Sequence, residues 1–507
     1  MNFPPARQKD PAPGQPIFSM SGITLRVRDS WILTDTNWTV RTGENWAVIG
    51  PNGAGKTTLM RAITGQVPVV AGKMRRHLPM AAPDAVGYVS FEFEQRFVDL
   101  ERARDEARCF ANRTGDIRRG RDIVFPVRPE KKQPDRNIEP AIDALDIRHL
   151  LDREIRQLSS GELRRIFIAR ALLKTPSTDG KLLVLDEPFD GLDASRRRIL
   201  GAALDTLMTQ GIQIILVSHR VDEIPRKITR IIALKKGRVF GQGSRKSMLS
   251  SRHLTSLYGS AIGMIQAVPK QTAPVHASPH PVIDVRSATV RYGNTIVFKN
   301  LSWKVYPGEH WAISGPNGSG KTTLLRLVTG DHLQAYANEI YIFGRQRGTG
   351  ESIWEIKRLF GVVSTELQRN YRKRIPALDV VRSGFFDSIG LYQTCTDTQR
   401  AIADDWINRL KLTGLMPRRY DLLSYGERKM VLIARAMVKS PAVLILDEPC
   451  QGLDPSNRRR VLAMVDHIAQ TTDTQIVFVT HRPDEVPGCT THWLTMPPPI
   501  RRDPTGG

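Results

Sequence analysis

The stretch GPNGAGKTT at residues 50–58 recurs as GPNGSGKTT at residues 315–323 of this 507-residue chain. Each copy follows a short apolar run, NWAVI or HWAIS, and precedes apolar residues at helical spacing. Strand, glycine-rich turn and helix in this order are typical of a loop that binds phosphate, because converging backbone N–H groups and the helix dipole favour negative charge there. The chain is therefore predicted to contain two phosphate-binding units.

Four further motifs recur in the same order in both halves. They are LSSGE at 158–162 and LSYGE at 423–427, LLVLDEP at 182–188 and VLILDEP at 443–449, GLD at 191–193 and 452–454, and SH at 218–219 matched by TH at 480–481. The apolar runs before DEP predict buried parallel strands. The repeat predicts two domains, 18–262 and 282–495, joined by a Pro-, Ala- and His-containing linker at 263–281, with a flexible leader at 1–17 and a flexible tail at 496–507.

The lysine and the threonine that end each glycine-rich loop have distinct predicted roles. Lys56 and Lys321 would reach the β- and γ-phosphates of a nucleotide, while the threonines that follow them would bind magnesium. The residues predicted to contact the nucleotide in these loops are Gly50, Asn52, Gly53, Gly55, Lys56, Thr57 and Thr58, and in the second half Gly315, Asn317, Gly318, Gly320, Lys321, Thr322 and Thr323.

The DEP motif places two adjacent carboxylates at the end of a buried strand. The aspartate can hold magnesium through water, and the glutamate can orient and deprotonate the attacking water. A histidine ending another apolar strand would alone fit a core residue, but its repetition at the same place favours a sensor of the γ-phosphate. The predicted metal residues are Thr57, Asp186, Thr322 and Asp447, and the predicted catalytic residues are Glu187, Glu448, His219 and His481.

LSSGE and LSYGE each contain Ser-x-x-Glu ahead of an apolar helical run. This spacing predicts a capping box, in which the serine and the glutamate satisfy the first N–H groups of a helix. A plain helix start explains part of the pattern. The N-terminus of such a helix also binds anions, which adds Ser159, Gly161, Ser424 and Gly426 to the predicted nucleotide contacts.

Taken together, the five motifs resemble the ATP-binding cassette family over nearly the whole chain. The resemblance implies an α/β fold with two P-loop NTPase domains in tandem, each with a mixed core sheet, an antiparallel β-subdomain and a helical subdomain. It also implies magnesium-dependent ATP hydrolysis, with ATP and Mg²⁺ as cofactors. In that family two cassettes face head to tail, which would pair Lys56 with Ser424 and Gly426, and Lys321 with Ser159 and Gly161. The pairing would occur within one chain, making the protein a monomer.

A closer resemblance is carried by residues of the second half. The stretches NLSWKVYPGEHWAISGPNGSGKTTLLRLVTGDH, IFGRQRGTGESIWEIK and SGFFDSIGLYQ resemble tandem-cassette ATP-binding proteins of the ModF type, known as molybdenum-transport ATP-binding or photorepair proteins. This resemblance implies a transport role, with a separate membrane permease as partner and a cytoplasmic location at the inner face of the membrane.

The sequence departs from the family pattern at three places, one of which is Tyr425, the third residue of the second signature, where Gly is usual. Transporter cassettes carry Gln directly after the strand that follows the phosphate-loop helix, but here Phe91 and Thr365 stand there, with Gln95 and Gln368 displaced. The resemblance assigns Tyr292 as the aromatic residue that stacks on adenine in the second half. The matching position of the first half is Val27, and Trp31 is the candidate substitute.

Composition limits the alternatives. The chain is 40% hydrophobic and 25% charged, which is typical of a globular protein, and no stretch of about 18 apolar residues predicts a membrane span. Four dispersed cysteines without a CxxC pair indicate neither a zinc site nor a disulfide framework. The net charge of +23 favours an acidic partner, which is nucleotide, nucleic acid or an anionic membrane surface.

Three functions remain open at this level. The first is the cytoplasmic ATPase component of a transport system, with molybdate as the implied substrate. The second is an ATPase that acts on nucleic acid or the ribosome, as the charge allows, although the Pro-rich linker does not resemble the charged helical linker of translation factors. The third, a nucleotide-dependent scaffold with little turnover, is disfavoured because both Glu187 and Glu448 are present.

Overall fold

The computed structural model describes residues 14–27, 30–77, 86–110, 118–125, 139–174, 182–259, 280–293, 295–371 and 373–498. The chain divides into two compact units, Met1–Ser260 and Ala261–Gly507. Of the predicted linker at 263–281, only His280 and Pro281 fall within the described residues, so the linker stays a prediction. Among these residues, no helix combines the length and the apolar character needed to cross a bilayer.

The first unit contains one mixed and one antiparallel sheet. Its strands are β1 (Pro16–Val27), β2 (Ser30–Arg41), β3 (Trp46–Ile49), β4 (Val69–Arg76), β5 (Val86–Ser90), β6 (Leu182–Asp186), β7 (Gln213–Val217), β8 (Arg230–Lys235) and β9 (Arg238–Ser244). The core sheet has the order β5-β6-β7-β3-β8-β9, parallel except for the antiparallel pair β8–β9, and β2-β1-β4 form the antiparallel sheet.

The helices of the first unit follow β3, β5, β6 and β9 in the chain. They are α1 (Lys56–Ile63), α2 (Phe91–Phe110), α3 (Gly120–Val124), α4 (Glu139–Ala144), α5 (Ser160–Lys174), α6 (Ala194–Thr209), α7 (Arg245–Met248) and α8 (Ser251–Tyr258). α3, α4 and α5 lie between β5 and β6 along the chain. α3 and α4 pack against α5 and form the helical part of the unit.

The second unit has a similar arrangement, except that the described residues of its core sheet include no antiparallel strand. Its strands are β10 (Ile283–Tyr292), β11 (Thr295–Val305), β12 (Trp311–Ser314), β13 (Glu339–Ile342), β14 (Arg345–Gln346), β15 (Phe360–Ser364), β16 (Val443–Asp447), β17 (Gln475–Thr480) and β18 (His492–Thr495). The core sheet, β15-β16-β17-β12-β18, pairs in parallel throughout, and β11-β10-β13-β14 form the antiparallel sheet. The helices are α9 (Lys321–Thr329), α10 (Ile353–Leu359), α11 (Thr365–Asn370), α12 (Ala377–Arg382), α13 (Asp397–Arg409), α14 (Tyr425–Met437) and α15 (Pro455–Thr471).

Burial explains why the motifs stand where they do. Every residue of β6 and of β16 is buried, as expected of central parallel strands covered by helices on both faces. Each of these strands ends at its aspartate, so the DEP motif emerges at the carboxyl edge of the sheet. The glycine-rich loops after β3 and β12 emerge at the same edge, because β3 and β12 run parallel to their neighbours.

The predicted boundaries of the leader and of the tail need correction, because each includes a buried residue of a folded domain. The predicted leader reaches residue 17, yet β1 begins at Pro16, which pairs with Arg41, and Ile17 is buried. The predicted tail begins at residue 496, yet Met496 is buried and its N–H donates to Ser314 O at 2.8 Å. Apolar side chains at both positions are removed from water by the adjoining sheet, which keeps them in the folded domains.

Candidate nucleotide-binding and hydrolysis sites

The first glycine-rich loop connects β3 to α1 through backbone that requires glycine. Gly50 has φ 149°, and a Cβ there would lie 2.1 Å from Leu234 O. Gly55, at φ 98°, precedes α1, which begins at Lys56. The Lys56 ammonium donates to Gly50 O at 2.7 Å and to Pro51 O at 3.2 Å, so the lysine lies across its own loop. This arrangement brings one positive charge and the helix N-terminus to the same place.

The second loop has the same geometry between β12 and α9. Gly320 has φ 92°, and a Cβ there would lie 2.6 Å from Val297 and 2.7 Å from Phe298. Lys321 Nζ donates to Gly315 O at 2.8 Å and to Pro316 O at 3.0 Å. Every loop residue that the sequence predicted to contact the nucleotide lies in one of these two loops or in the first turn of the helix that follows.

A carboxylate stands beside each loop threonine at the end of the neighbouring strand. Thr322 Oγ1 donates to Asp447 Oδ2 at 2.9 Å, and Thr57 bonds to Asp186 in the same way. Burial, followed by the neighbouring glutamate, raises the pKa of each aspartate to about 6. The second oxygen of each aspartate, Oδ1, is buried and has no hydrogen-bond partner in the part of the chain that the structure describes. A spare carboxylate oxygen beside a hydroxyl is a donor set that fits Mg²⁺.

The glutamate after each aspartate contacts the histidine predicted from the sequence. His219 Nδ1 lies 2.8 Å from Glu187 Oε2, and His481 Nδ1 lies 2.8 Å from Glu448 Oε2. Both glutamates have left-handed backbone, with φ 53° at Glu187 and φ 51° at Glu448. A positive φ is costly for a residue with a side chain, and such strain is concentrated at functional sites. In the first half, Lys56 Nζ is 4.0 Å from Glu187 Oε1, which joins the lysine to the same cluster.

The surroundings of the two histidines differ. Burial lowers the pKa of His219, but the carboxylates of Glu187 and Asp190 outweigh it and raise the pKa to about 9. Asp190 Oδ1 lies 3.9 Å from His219 Nε2. The second half has Gln451 where the first has Asp190, as the aligned DEPFDGLD and DEPCQGLD show. His219 therefore has a second acidic side chain nearby, in addition to Glu187, at a position where the second half has a glutamine.

The signature motifs open helices α5 and α14 as capping boxes, which confirms the sequence prediction. Ser159 N donates to Glu162 Oε2 at 2.8 Å and Glu162 N donates to Ser159 Oγ at 3.4 Å. In the second half the corresponding distances are 2.7 and 3.3 Å, between Ser424 and Glu427. The structure places each signature within its own unit, so the predicted pairing of each phosphate loop with the opposite signature stays a prediction.

The adenine side differs between the halves. Tyr292, at the end of β10, is half-exposed, pairs with Thr295 and holds His332 Nε2 at 2.7 Å from its hydroxyl. Val290, two residues before Tyr292 on the same face of β10, is buried and pairs with Phe298, one of the residues that lie next to the phosphate loop at Gly320. The Tyr292 ring therefore stands on the face of its hairpin that looks toward the loop.

The substitute proposed for the first half, Trp31, lies on the opposite face of the matching hairpin. Ile32 and Leu33 approach Gly55, and Ile32 pairs with Leu25, two residues before Val27, whereas Trp31 lies on the other face because successive side chains of a strand alternate. Trp31 pairs with Arg26, whose guanidinium carbon lies 5.5 Å from the centre of the Trp31 ring. Val27 is on the loop-facing side, so the structure favours a first site without an aromatic ring from this hairpin.

Sequence reasoning missed a buried ion pair beside the first catalytic loop. Arg164 on α5 contacts Glu94 on α2, and both side chains are almost fully buried. The displaced Gln95 is half-buried beside Glu94, whereas Gln368 is buried and donates to Tyr425 O at 3.1 Å. A comparison of the two halves at matched positions would have flagged Arg164 and Glu94, because the second half has Lys429 and the uncharged Gln368 at the equivalent positions.

Comparison with known proteins agrees with the geometry. The model of the ABC transporter family matches residues 33–190 and again residues 298–451. The chain is 38% identical over 482 residues to the ABC transporter ATP-binding protein ModF of Escherichia coli (strain K12), covering 94% of this chain and 96% of that protein. It is 27% identical over 460 residues to an uncharacterized ABC transporter ATP-binding protein of Schizosaccharomyces pombe, covering 88% and 91% of the two chains.

Among solved structures, the chain resembles an archaeal ribosome recycling factor in complex with an archaeal ribosomal stalk protein. The TM-score is 0.57 at 17% sequence identity, covering 94% of this chain and 87% of that one. A likeness at this level of identity concerns the fold, which is two cassettes in tandem.

Proposed function

This chain belongs to the ABC transporter family and is an ATPase, and from that premise we propose that both of its phosphate loops hold ATP at sites that hydrolyse it. The observation that carries the proposal is the shared cluster of lysine, aspartate, glutamate and histidine beside each loop. Glu187 and Glu448 are the proposed general bases, and each is oriented by the histidine 2.8 Å away. Lys56 and Lys321 supply the charge that binds the β- and γ-phosphates.

Magnesium is the metal that we propose for both sites. Thr57 with Asp186, and Thr322 with Asp447, would hold it, and this assignment is supported by Oδ1 of each aspartate, which has no hydrogen-bond partner among the described residues. When bound, the ion neutralises charge that develops on the phosphate oxygens. The protein's own part is to orient water through the glutamate and to hold the phosphates through the lysine and the loop N–H groups.

We expect hydrolysis at each site to depend on the positive charge of the lysine and on the glutamate that acts as the base. Lys321→Ala or Glu448→Gln should lower the Mg-dependent ATPase rate attributable to the second site at least about tenfold, because each removes a main charge-stabilising or proton-accepting group. The rate is measured in a chain that already carries Glu187→Gln, so that the first site does not mask the loss. Wild-type turnover in these variants would refute the site assignment.

The finer proposal is that ATP hydrolysis energises a transport system at the cytoplasmic face of a membrane, with a separate permease as partner and molybdate as the substrate class. It is supported by the 38% identity to ModF of E. coli, which is named as an ABC transporter ATP-binding protein. The absence of Gln at positions 91 and 365 leaves the manner of coupling to a permease outside the usual pattern.

The second candidate is action on nucleic acid or the ribosome, and it is favoured by one observation, the net charge of +23. A positive excess of this size attracts phosphate-rich partners and makes their binding dependent on salt. The charge does not choose between an anionic membrane surface and nucleic acid, so the two candidates need a direct test.

Affinity purification from native cells separates them. A tagged chain carrying Glu187→Gln and Glu448→Gln would be trapped with ATP, and the matched control would carry Lys56→Ala and Lys321→Ala. Recovery of a membrane permease with the trapped chain, but not with the control, supports transport. Recovery of ribosomes or nucleic acid with the ATP-trapped chain, but not with the control, would support the alternative and overturn the transport proposal.

A further inference from the structure

The internal repeat lets one buried contact be compared at matched positions. Ser90 pairs with Asp186 and Ser364 pairs with Asp447, so the residues four positions later, Glu94 and Gln368, are equivalent. On the signature helices, Arg164 and Lys429 each stand five residues after the signature serine. The first half thus has an acid and an arginine where the second has an amide and a lysine.

In the first half these side chains form a bifurcated contact, in which one N–H of Arg164 faces both carboxylate oxygens of Glu94. Arg164 Nε lies 2.9 Å from Glu94 Oε1 and 2.8 Å from Glu94 Oε2, and Arg164 is 1% exposed. Arg164 Nη1 also donates to the carbonyl oxygens of Pro188 and, at 2.9 Å, of Asp190. Those two carbonyls belong to the loop that follows Glu187. One guanidinium therefore joins the signature helix α5, the start of helix α2 and the loop that bears the proposed base.

The second half lacks this connection. Lys429 is fully buried, and its Nζ has no hydrogen-bond partner among the residues that the structure describes. Gln368 instead donates to Tyr425 O. An ammonium is a single point of charge and lacks the planar fork with which a guanidinium bridges a carboxylate and two carbonyls.

Stability alone does not account for the Arg164–Glu94 pair. Burying two charges carries a desolvation cost that their attraction only partly offsets, and apolar replacements of buried pairs are often neutral or stabilising. The loop that the pair holds, by contrast, starts with Glu187 at φ 53°, a conformation that persists only when its surroundings enforce it.

We propose that the Arg164–Glu94 ion pair is a positioning device of the first cassette, which fixes the Glu187 loop relative to the signature helix, and that the second cassette lacks this restraint. The pair acts through the loop that bears Glu187, because the hydrogen bonds of Arg164 run to Glu94, Pro188 and Asp190, and none of these residues belongs to the phosphate loop of the same unit. Loss of the pair should therefore lower kcat at the first site and leave the KM for ATP nearly unchanged.

The test copies the second half into the first. In a chain with Glu448→Gln, so that only the first site turns over, Arg164→Lys with Glu94→Gln should lower kcat at least about fivefold, with KM for ATP within about twofold, because small displacements of a catalytic group are costly. The matched control is Arg165→Lys, since Arg165 is also buried on α5 but bonds to Leu145 O and Asp146 O, away from the Glu187 loop. It should keep the kcat of its parent.

A second readout does not depend on catalysis, which matters because the kinetic prediction rests on Glu187 being the base. Hydrogen exchange of the peptide spanning residues 187–192 should quicken in the Arg164→Lys, Glu94→Gln chain. The reciprocal change, Lys429→Arg with Gln368→Glu, should slow exchange of residues 448–453.

The two readouts separate two failures. Faster exchange of residues 187–192 with unchanged kcat would keep the restraint but refute Glu187 as the base. Unchanged exchange in a folded double variant would overturn the positioning proposal itself. If the double variant does not fold, Glu94→Gln alone is tested by the same criteria.

Discussion

Tyr292 and Val27 occupy matched positions in the two hairpins beside the phosphate loops, and only one of them has an aromatic ring. Stacking of an aromatic side chain on a base contributes roughly 1 to 3 kcal/mol. Because Trp31 faces away from Gly55 and lies against Arg26, the first half has no ring at this position to replace Tyr292.

The two sites should therefore differ in affinity for ATP. A chain with Lys56→Ala, left with the second-half site, should bind ATP more tightly than a chain with Lys321→Ala, as measured by titration with a fluorescent nucleotide. Adding Tyr292→Ala to the Lys56→Ala chain should abolish the advantage. Equal affinities for the two lysine variants would mean that Trp31 or a neighbouring ring does stack on the adenine.

His219 supplies a second difference, which appears in the pH dependence. Its pKa is raised to about 9, so the imidazole is protonated at neutral pH and loses its charge as the pH rises through that value. In a Glu448→Gln chain, the ATPase rate should fall along an alkaline limb near pH 9. Asp190→Asn removes one of the carboxylates that raise the pKa, so it should move this limb to lower pH.

The pH–rate profile of kcat/KM checks the assignment, because kcat/KM reports the ionisations of the enzyme without nucleotide, which is the state to which this pKa belongs. An alkaline limb at the same pH in both proteins would show that Asp190 does not raise the pKa of His219 or that another group produces the limb.

At the scale of elements, the signature helices differ in how closely the next helix approaches. A Cβ on Gly426 of α14 would lie 2.6 to 2.9 Å from three atoms of Asn457 at the start of α15. That side chain is held by Asp454, so it has little freedom to move aside. On α5, a Cβ on Gly161 would meet Arg196 Cδ at 3.2 Å, part of a long side chain that can rearrange.

Gly426→Ala should therefore lower the melting temperature more than Gly161→Ala, through steric strain between two helices. The control is Gly201→Ala on α6, where a Cβ meets nothing within 4 Å, and alanine should stabilise the helix by roughly 0.5 to 1 kcal/mol. Thermal unfolding followed by circular dichroism checks all three, and an equal loss for the two signature variants would contradict the role of Asn457.

At the scale of the whole molecule, the repeat predicts that both cassettes of one chain act together. Two domains on one linker meet at a high effective concentration, which favours closure within the chain over pairing between chains. With Glu187→Gln and Glu448→Gln together, ATP should therefore produce a compact monomer. Small-angle scattering with and without ATP measures this compaction, and the chain with Lys56→Ala and Lys321→Ala is the control that should not respond. An obligate dimer would refute intramolecular pairing.

Local chemistry made most of the site predictable from the sequence. A phosphate loop needs glycine where φ is positive, a lysine and a threonine at the helix start, and carboxylates at a strand end, so the loops after β3 and β12 and the acids after β6 and β16 could be located from spacing and repetition. The capping boxes of Ser159 and Ser424 follow from four consecutive residues each.

The tertiary structure decided what depends on residues far apart in the chain. Arg164 meets Glu94 across 70 residues, His219 is surrounded by acids from two segments, and Trp31 is turned away from the loop by strand register. Met496 belongs to the core because β18 lies beside β12. Such contacts arise from packing, which the spacing of residues along one segment does not encode. The two halves therefore share their motifs but differ in the buried contacts behind them.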